Sequence, residues 1–122
     1  MPNLIIALGA FNTFLAVAAG AFAAHALKNT LTAEYLNVFK TATDYQLVHG
    51  IGLIVVAILA KQNPEDSHTI IAVLMFAGIM LFSGSLYVLA ITGTKWLGMI
   101  TPIGGVCFLL AWLLLGIKYF FQ

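Results

Sequence analysis

The chain has 122 residues, of which 62% are hydrophobic and only 7% are charged, and its formal net charge is +1. Soluble domains average about 45–50% apolar and about 25% charged residues, and a soluble chain of this length cannot bury so much apolar surface. The composition therefore predicts a single-domain integral membrane protein. Its five basic residues are all lysines and form no cluster, so nucleic-acid binding and polybasic lipid recognition have no electrostatic basis.

Four apolar segments are each long enough to cross a bilayer, whose hydrocarbon core of about 30 Å takes roughly 20 helical residues. We expect one domain over residues 1–122, with helices at about 4–25, 33–60, 68–91 and 96–120. The first segment contains an Ala-Phe-Ala motif like a signal-peptidase site, but no lysine precedes it and the apolar run is too long for a signal peptide. Because the connections are short, the prediction is an all-α, antiparallel four-transmembrane-helix bundle with both termini on the same side.

Local signals predict where these helices begin, bend and approach each other. Thr32 is the expected N-cap of the second helix. Ala16, Gly20 and Ala24 recur at every fourth position, which predicts a face that a neighbouring helix approaches closely. Pro102, with two glycines shortly after it, predicts a kink in the first half of the fourth helix. The lysines divide three against two between the two sides of the membrane, so they do not indicate an orientation.

The densest group of polar side chains lies in residues 41–52, at the start of the second apolar segment. Only ten wholly apolar residues, 51–60, follow Gly50, so the helix spans the bilayer only if Tyr45, Gln46 and His49 are drawn inside. Helical periodicity places Asp44 about 140° from His49, which favours an interfacial pair between Asp44 and Lys40. The same periodicity predicts a single bundle-facing stripe of six residues: Val38, Ala42, Tyr45, His49, Gly52 and Val56.

Four motifs, taken in order, resemble a known family: GAFAAHAL at residues 20–27, TATDYQLVH at 41–49, FSGSLY at 82–87 and TPIGG at 101–105. Together they are similar to the small four-span membrane family of unknown function 423, which includes YwdK-like and transmembrane protein 256-like proteins. Ala23 departs from the family's first motif, which usually has glycine there, and implies slightly looser helix contact. The resemblance implies a four-helix, multi-pass protein of the bacterial inner (plasma) membrane and brings no activity, ligand or catalytic residue.

Seven side chains from three segments form the candidate polar cluster: His25, Asp44, Tyr45, Gln46, His49, Ser83 and Ser85. One interpretation is that these groups tie the helices together through hydrogen bonds, as polar residues in membrane bundles do. The other is a polar cavity in which His25 and His49, expected near the same face of the membrane, pass protons or bind a ligand.

Catalytic and metal chemistry have little support in the sequence. His68 lies in the opposite loop and Cys107 on a distant helix, so no compact metal-ligand set appears. The serines at 83 and 85 lack the G-x-S-x-G pattern of a nucleophile elbow. We therefore expect no enzyme activity, no cofactor and no metal. The predicted function is a structural, accessory or partner-binding membrane protein, with the bilayer and a homo-oligomer or another membrane protein as partners. The alternative is a small transporter or proton-conducting element that uses His25, Asp44 and His49.

Overall fold

A computed structural model describes every residue from Met1 to Gln122. Its regular elements are five α-helices: α1 (Pro2–His25), α2 (Ala33–Gln62), α3 (Thr69–Gly78), α4 (Gly84–Thr92) and α5 (Thr101–Phe120). A π-helical segment, Ile79–Ser83, joins α3 to α4, and a 3₁₀-helix, Lys95–Met99, precedes α5. Four segments are long and apolar enough to cross a membrane: α1, α2, the third span (Thr69–Thr92) and the fourth span (Lys95–Phe120). The predicted all-α, four-transmembrane-helix architecture is confirmed.

Helix α2 is the longest element and the centre of the bundle. Its N-cap is Thr32, as predicted, and the Thr32 hydroxyl accepts a hydrogen bond from the Tyr35 backbone N–H at 3.2 Å. At 30 residues the helix is about 45 Å long, which exceeds the hydrocarbon thickness of about 30 Å. At the other end the Asn63 side chain donates to the Leu59 carbonyl oxygen at 3.1 Å and closes the last turn. The helix therefore extends beyond the hydrocarbon core.

Two faces of α2 are buried, where the sequence predicted one. Ala42, His49, Gly52 and Val56 of the predicted stripe are buried, but Tyr45 is 45% exposed. A second buried row lies beside them and contacts α1 and α4: Phe39, Thr43, Gln46, Gly50, Leu53 and Ala57. The single-stripe prediction was incomplete because α2 packs against α1 and α4 on one face and against the π-helical segment and α5 on the other.

Helices α1 and α2 approach each other closely at a pair of glycines, Gly9 and Gly50. A Cβ atom added at Gly9 would lie 2.6 Å from the carbonyl oxygen of Gly50. The predicted close approach at Gly20 and Ala24 was wrong, since no atom lies within 4 Å of a Cβ at Gly20 and Ala24 is exposed. A spacing of four residues advances 40° per step on an α-helix, so such a row rotates away from the interface within two steps.

The third and fourth spans meet backbone to backbone at the π-helical segment. A Cβ atom added at Gly104 would collide with the backbone of Leu81 and Phe82, which belong to that segment. The break in the fourth span lies at Ile100, between the 3₁₀-helix and α5, and Pro102 occupies the first turn of α5. The predicted irregularity therefore lies at the start of α5. Proline has no backbone N–H, and the N–H groups in the first turn of a helix have no partner within the helix, so no hydrogen bond is lost there.

The loop between α2 and α3 is tied to the end of α5, which places it on the side of the membrane that holds both termini. Asp66 forms an ion pair with Lys118 at 3.5 Å and accepts a hydrogen bond from the Gln122 amide at 2.8 Å. His68 is buried, and its Nε2 lies 2.9 Å from the hydroxyl of Tyr119. These contacts cap the bundle at this end.

Candidate functional site

Three polar side chains from three helices form a continuous hydrogen-bonded network, here called the amide network: Asn12 of α1, Gln46 of α2 and Tyr87 of α4. The Tyr87 hydroxyl lies 2.6 Å from Gln46 Oε1, and Gln46 Nε2 lies 3.1 Å from Asn12 Oδ1. Asn12 and Gln46 are 8% and 6% exposed. Each helix contributes one member, so the network links α1 and α4 through the central helix.

A backbone carbonyl oxygen determines which group donates and which accepts in every hydrogen bond of the amide network. Asn12 Nδ2 lies 2.9 Å from the carbonyl oxygen of Leu8, which can only accept, so the Asn12 oxygen faces Gln46. Gln46 must then present its nitrogen to Asn12 and its oxygen to Tyr87. The Tyr87 hydroxyl is therefore the donor at the far end, and neither carboxamide is free to flip.

His49 lies in a second, separate site between α2 and α5. Its Nδ1 is 2.7 Å from the carbonyl oxygen of Tyr45, and its Nε2 is 2.9 Å from the indole nitrogen of Trp112. Indole N–H only donates and a carbonyl only accepts, so His49 is a neutral imidazole with its proton on Nδ1. The ring is 3% exposed and stacks on Phe108 with centroids 3.5 Å apart. Both nitrogens are occupied, which leaves neither free for a proton or a metal ion.

The two predicted serines join helices through hydrogen bonds. Ser83 is fully buried, and its hydroxyl donates to the carbonyl oxygen of Ala42 at 2.8 Å. Ser85 lies 2.6 Å from the hydroxyl of Thr101 and 2.9 Å from the carbonyl oxygen of Phe82. The Ser83 contact fastens α2 to the π-helical segment, and the Ser85 contact fastens α4 to the start of α5.

Three members of the predicted cluster lie outside these networks. His25 is exposed at the end of α1, 12 residues or about 18 Å beyond Thr13, which faces Gly50 next to His49. The expected proximity of His25 and His49 was therefore wrong, because His49 lies 16 residues after the first residue of α2, Ala33, and so faces the middle of α1 and not its end. Asp44 is exposed, and the expected pair with Lys40 does not form. Tyr45 packs its half-exposed ring on Phe82 at 4.6 Å between centroids.

Three partners were missed from the sequence: Asn12, Tyr87 and Trp112. Asn12 is a carboxamide near the middle of an apolar span, and the cost of a polar group in a bilayer was a sufficient signal to select it. Tyr87 ends the FSGSLY motif, but helical periodicity within one span does not show which other span a side chain reaches. Trp112 lies on the fourth span, 63 residues from His49, so no local pattern in the sequence indicates that its indole N–H donates to that imidazole.

A cavity of about 460 Å³ lies over the amide network, between α1 and the π-helical segment and α4. Its inner wall contains the amide network and Ser83, all of them buried except Tyr87, which is half-buried. Its rim is exposed, with Leu15, Phe22, Met80 and Ile91 each more than half accessible. The cavity exists because α1 packs along α2 and not along the third span. It therefore faces the lipid sideways, with polar groups only at its base.

The structure contains no group of three or more His, Cys, Asp and Glu side chains close enough to hold a metal ion. Cys107, the single cysteine, is half-buried and free.

Comparison with known proteins identifies the family. Residues 19–105 match the family model described as "Protein of unknown function (DUF423)". The UPF0382 membrane protein YwdK of Bacillus subtilis is 48% identical over 121 residues, covering 96% of this chain and 98% of that protein. The UPF0382 membrane protein SSP2132 of Staphylococcus saprophyticus is 47% identical over 118 residues, covering 97% and 98%. No solved structure matches. The chain is thus a multi-pass membrane protein of the kind found in these bacteria, and it belongs to the DUF423 family.

Proposed function

We propose that this protein is a non-enzymatic accessory component of the membrane that holds an apolar guest in the lateral cavity over the amide network. The observation that carries the proposal is the separation of α1 from the third span, which leaves a cavity of about 460 Å³ open to lipid. Ligand sites in proteins have volumes of about 300–1,000 Å³, are mostly apolar and contain a few convergent polar groups. This cavity has those properties.

The polar groups of the bundle are suited to holding helices and a guest, and they do not form a catalytic set. The Ser83 hydroxyl donates its hydrogen bond to the Ala42 carbonyl oxygen. A backbone carbonyl is not a general base, so this contact does not activate Ser83 as a nucleophile. His49 has both ring nitrogens engaged and lies on the side of α2 that faces α5. A nucleophile and a base within hydrogen-bond reach of each other, as covalent catalysis requires, are lacking at the cavity.

The geometry disfavours the alternative function, a proton-conducting element built on His25, Asp44 and His49. His25 and Asp44 are exposed, and His49 is held as a neutral donor and acceptor between Tyr45 and Trp112. A proton relay requires a continuous polar route, and these three side chains share no hydrogen bond. In liposomes that contain a pH-sensitive dye, we expect wild type and His49→Ala to give no proton flux above empty vesicles. Flux that wild type supports and His49→Ala abolishes would contradict the proposed accessory role.

Photo-crosslinking from the cavity rim tests whether a guest is held there. Benzoylphenylalanine replaces Leu15 on α1 or Met80 on the third span, both more than half exposed. The matched control position is Leu113 on the outer face of α5, which is 57% exposed and does not line the cavity. After irradiation of intact cells, mass spectrometry of the purified protein identifies the adducts. We expect the same discrete adduct at Leu15 and Met80, and only mixed membrane lipid at Leu113; identical adducts at all three positions would refute a specific guest.

A further inference from the structure

Two amide groups at the base of the cavity each have an N–H that no protein atom accepts. Asn12 Nδ2 donates one of its two N–H groups to the Leu8 carbonyl oxygen, and Gln46 Nε2 donates one of its two to Asn12 Oδ1. Neither nitrogen has a second acceptor in the protein, although both side chains are more than nine-tenths buried and line the cavity. The other polar side chains there, Tyr87 and Ser83, have one O–H group each, and both O–H groups already donate a hydrogen bond within the protein. The unused donors at this site are therefore the two amide N–H groups.

Unused N–H groups in a bilayer favour a guest that brings a hydrogen-bond acceptor. An unpaired buried donor is costly, and buried N–H groups are left without a partner more rarely than carbonyl oxygens are. Water is scarce in the hydrocarbon core, so a guest oxygen gains a bond that solvent does not already supply. A guest with a carbonyl or similar oxygen thus fits the polar base, while its apolar body fits the walls.

The depth of the amide network in the membrane excludes some of the molecules that could supply the acceptor oxygen. Asn12 lies ten residues after Pro2 and 13 before His25, or about 15 Å and about 20 Å from the two ends of α1. Ester carbonyls of phospholipids lie at the edge of the hydrocarbon core, about 15 Å from its centre. Backbone carbonyls of a spanning helix are bonded within their own helix, so a partner helix does not offer them either.

We propose that the cavity binds a lipid-soluble carbonyl compound of the quinone class, with its oxygen bonded to the free amide protons of Asn12 and Gln46. This inference rests on the proposed function and names the guest. A substituted quinone ring has carbonyl oxygens on an apolar body and enters the hydrocarbon interior. Phe39 is buried in the cavity wall and Phe22 lies at the rim, so planar apolar groups are available to pack on such a ring.

Calorimetric titration of the purified protein in detergent with decylubiquinone tests the chemistry of the guest. Decylbenzene, which has the same chain on a ring without oxygen, is the matched probe, and empty micelles provide the background. We expect saturable binding of decylubiquinone and at least tenfold weaker binding of decylbenzene. Equal binding of the two probes overturns the inference, because the amide protons would then contribute nothing.

Two variants separate loss of the donor from loss of the fold. Gln46→Met keeps the side-chain length and removes the amide; it is made together with Tyr87→Phe, because the Tyr87 hydroxyl would otherwise become a free donor. We expect the pair to bind decylubiquinone at least tenfold more weakly than Tyr87→Phe alone. Gln62→Met, at the exposed end of the same helix, is expected to bind like wild type. Tyr87→Phe removes a bond to Gln46 and keeps the free amide protons, so it is expected to retain binding although the bundle is weakened. Equal binding by the pair and by Tyr87→Phe alone, or loss of binding by Tyr87→Phe in a folded protein, overturns the inference.

Mass spectrometry of the protein purified in mild detergent distinguishes other occupants. A phospholipid that decylubiquinone does not displace, or a bound polypeptide, overturns the quinone-class guest and leaves the proposed function intact. Failure of the photo-crosslinking experiment to distinguish Leu15 and Met80 from Leu113 removes the proposed function itself. The two failures therefore have different signatures.

Discussion

At the scale of single residues, backbone carbonyls determine what the buried polar side chains can do. The Leu8 carbonyl oxygen orients Asn12 and, through it, Gln46 and Tyr87. The Tyr45 carbonyl oxygen fixes the proton of His49 in the same way. Each side chain is anchored by an acceptor that cannot change its role, so these networks have one proton arrangement.

Removal of the central amide should destabilise the bundle measurably. In Gln46→Leu, Tyr87 loses its acceptor and Asn12 loses its donor, since both bonds pass through Gln46. Interhelical hydrogen bonds in membranes contribute about 0.6 kcal/mol on average and at most about 1.7 kcal/mol each, so we expect a loss of about 1–2 kcal/mol. Denaturation by sodium dodecyl sulfate, followed by circular dichroism, measures this change. Gln62→Leu, exposed on the same helix, is the control and should remain within about 0.5 kcal/mol of wild type; equal effects of the two substitutions would count against the network.

The tautomer of His49 can be observed directly. In a protein labelled with ¹⁵N-histidine, His49 should give the chemical shifts of a neutral ring protonated on Nδ1 at pH 7, because Trp112 donates to Nε2. Trp112→Phe removes that donor and should release the ring from this single tautomer, whereas Trp96→Phe, at an exposed position, should leave the His49 signals unchanged. A charged His49 ring in the wild-type protein would contradict the assignment.

At the scale of the elements, close backbone contacts between spans depend on individual glycines. Gly9 and Gly50 let α1 meet α2, and Gly104 lets α5 meet the π-helical segment. A π-helical turn widens the helix locally and shifts the side chains that follow it. Ser83 closes that segment and reaches the Ala42 carbonyl oxygen on α2, so one irregular turn is packed against two other spans.

Adjacent glycines of α5 should respond differently to the same substitution. The Cβ of Gly104→Ala meets the backbone of Leu81 and Phe82, which cannot move aside as a flexible side chain does. We expect destabilisation of about 1–3 kcal/mol, as for other overpacked sites. In Gly105→Ala the new Cβ lies 3.8 Å from the ring of Phe82, an ordinary contact, so stability should be unchanged or slightly higher. Denaturant titration of both variants checks the contrast; similar losses in both would mean that α5 does not meet the π-helical segment through Gly104.

At the scale of the whole molecule, the bundle is asymmetric. Half of the most apolar stretch of α2 is buried, against 22% for α1 and 17% for the fourth span. Helix α1 contacts the rest of the protein along one neighbour, which leaves the lateral cavity on its other side. The guest-binding proposal follows from this asymmetry, because an evenly packed bundle of four helices encloses no such lateral opening.

The antiparallel topology predicts which positions are accessible from each side of the membrane. In a Cys107→Ala background, single cysteines replace Glu65, Gln122, Lys28 or Lys95, all of which are exposed. A membrane-impermeant maleimide applied to sealed, oriented vesicles should label the Glu65 and Gln122 positions together, and the Lys28 and Lys95 positions only from the other side. Labelling of Gln122 and Lys28 from the same side would contradict the topology.

The sequence by itself determined that the chain lies in a lipid bilayer, how many times it crosses the bilayer, and where several helices begin or end. Apolar runs of about 20 residues specify a membrane helix because the bilayer thickness requires that length, and the Thr32 cap depends only on local bonds. The importance of residues 41–52 was also readable, since half of them are buried in the bundle: Ala42, Thr43, Gln46, His49, Gly50 and Gly52.

Only the tertiary structure decided which polar groups meet. Asn12 and Gln46 are 34 residues apart, and His49 and Trp112 are 63 apart, so no local periodicity pairs them. Helical periodicity gives the direction of a side chain about its own axis, whereas the partner depends on the register and rotation of neighbouring helices. That register left His25 and Asp44 exposed, joined Asn12, Gln46 and Tyr87, and opened the cavity beside them.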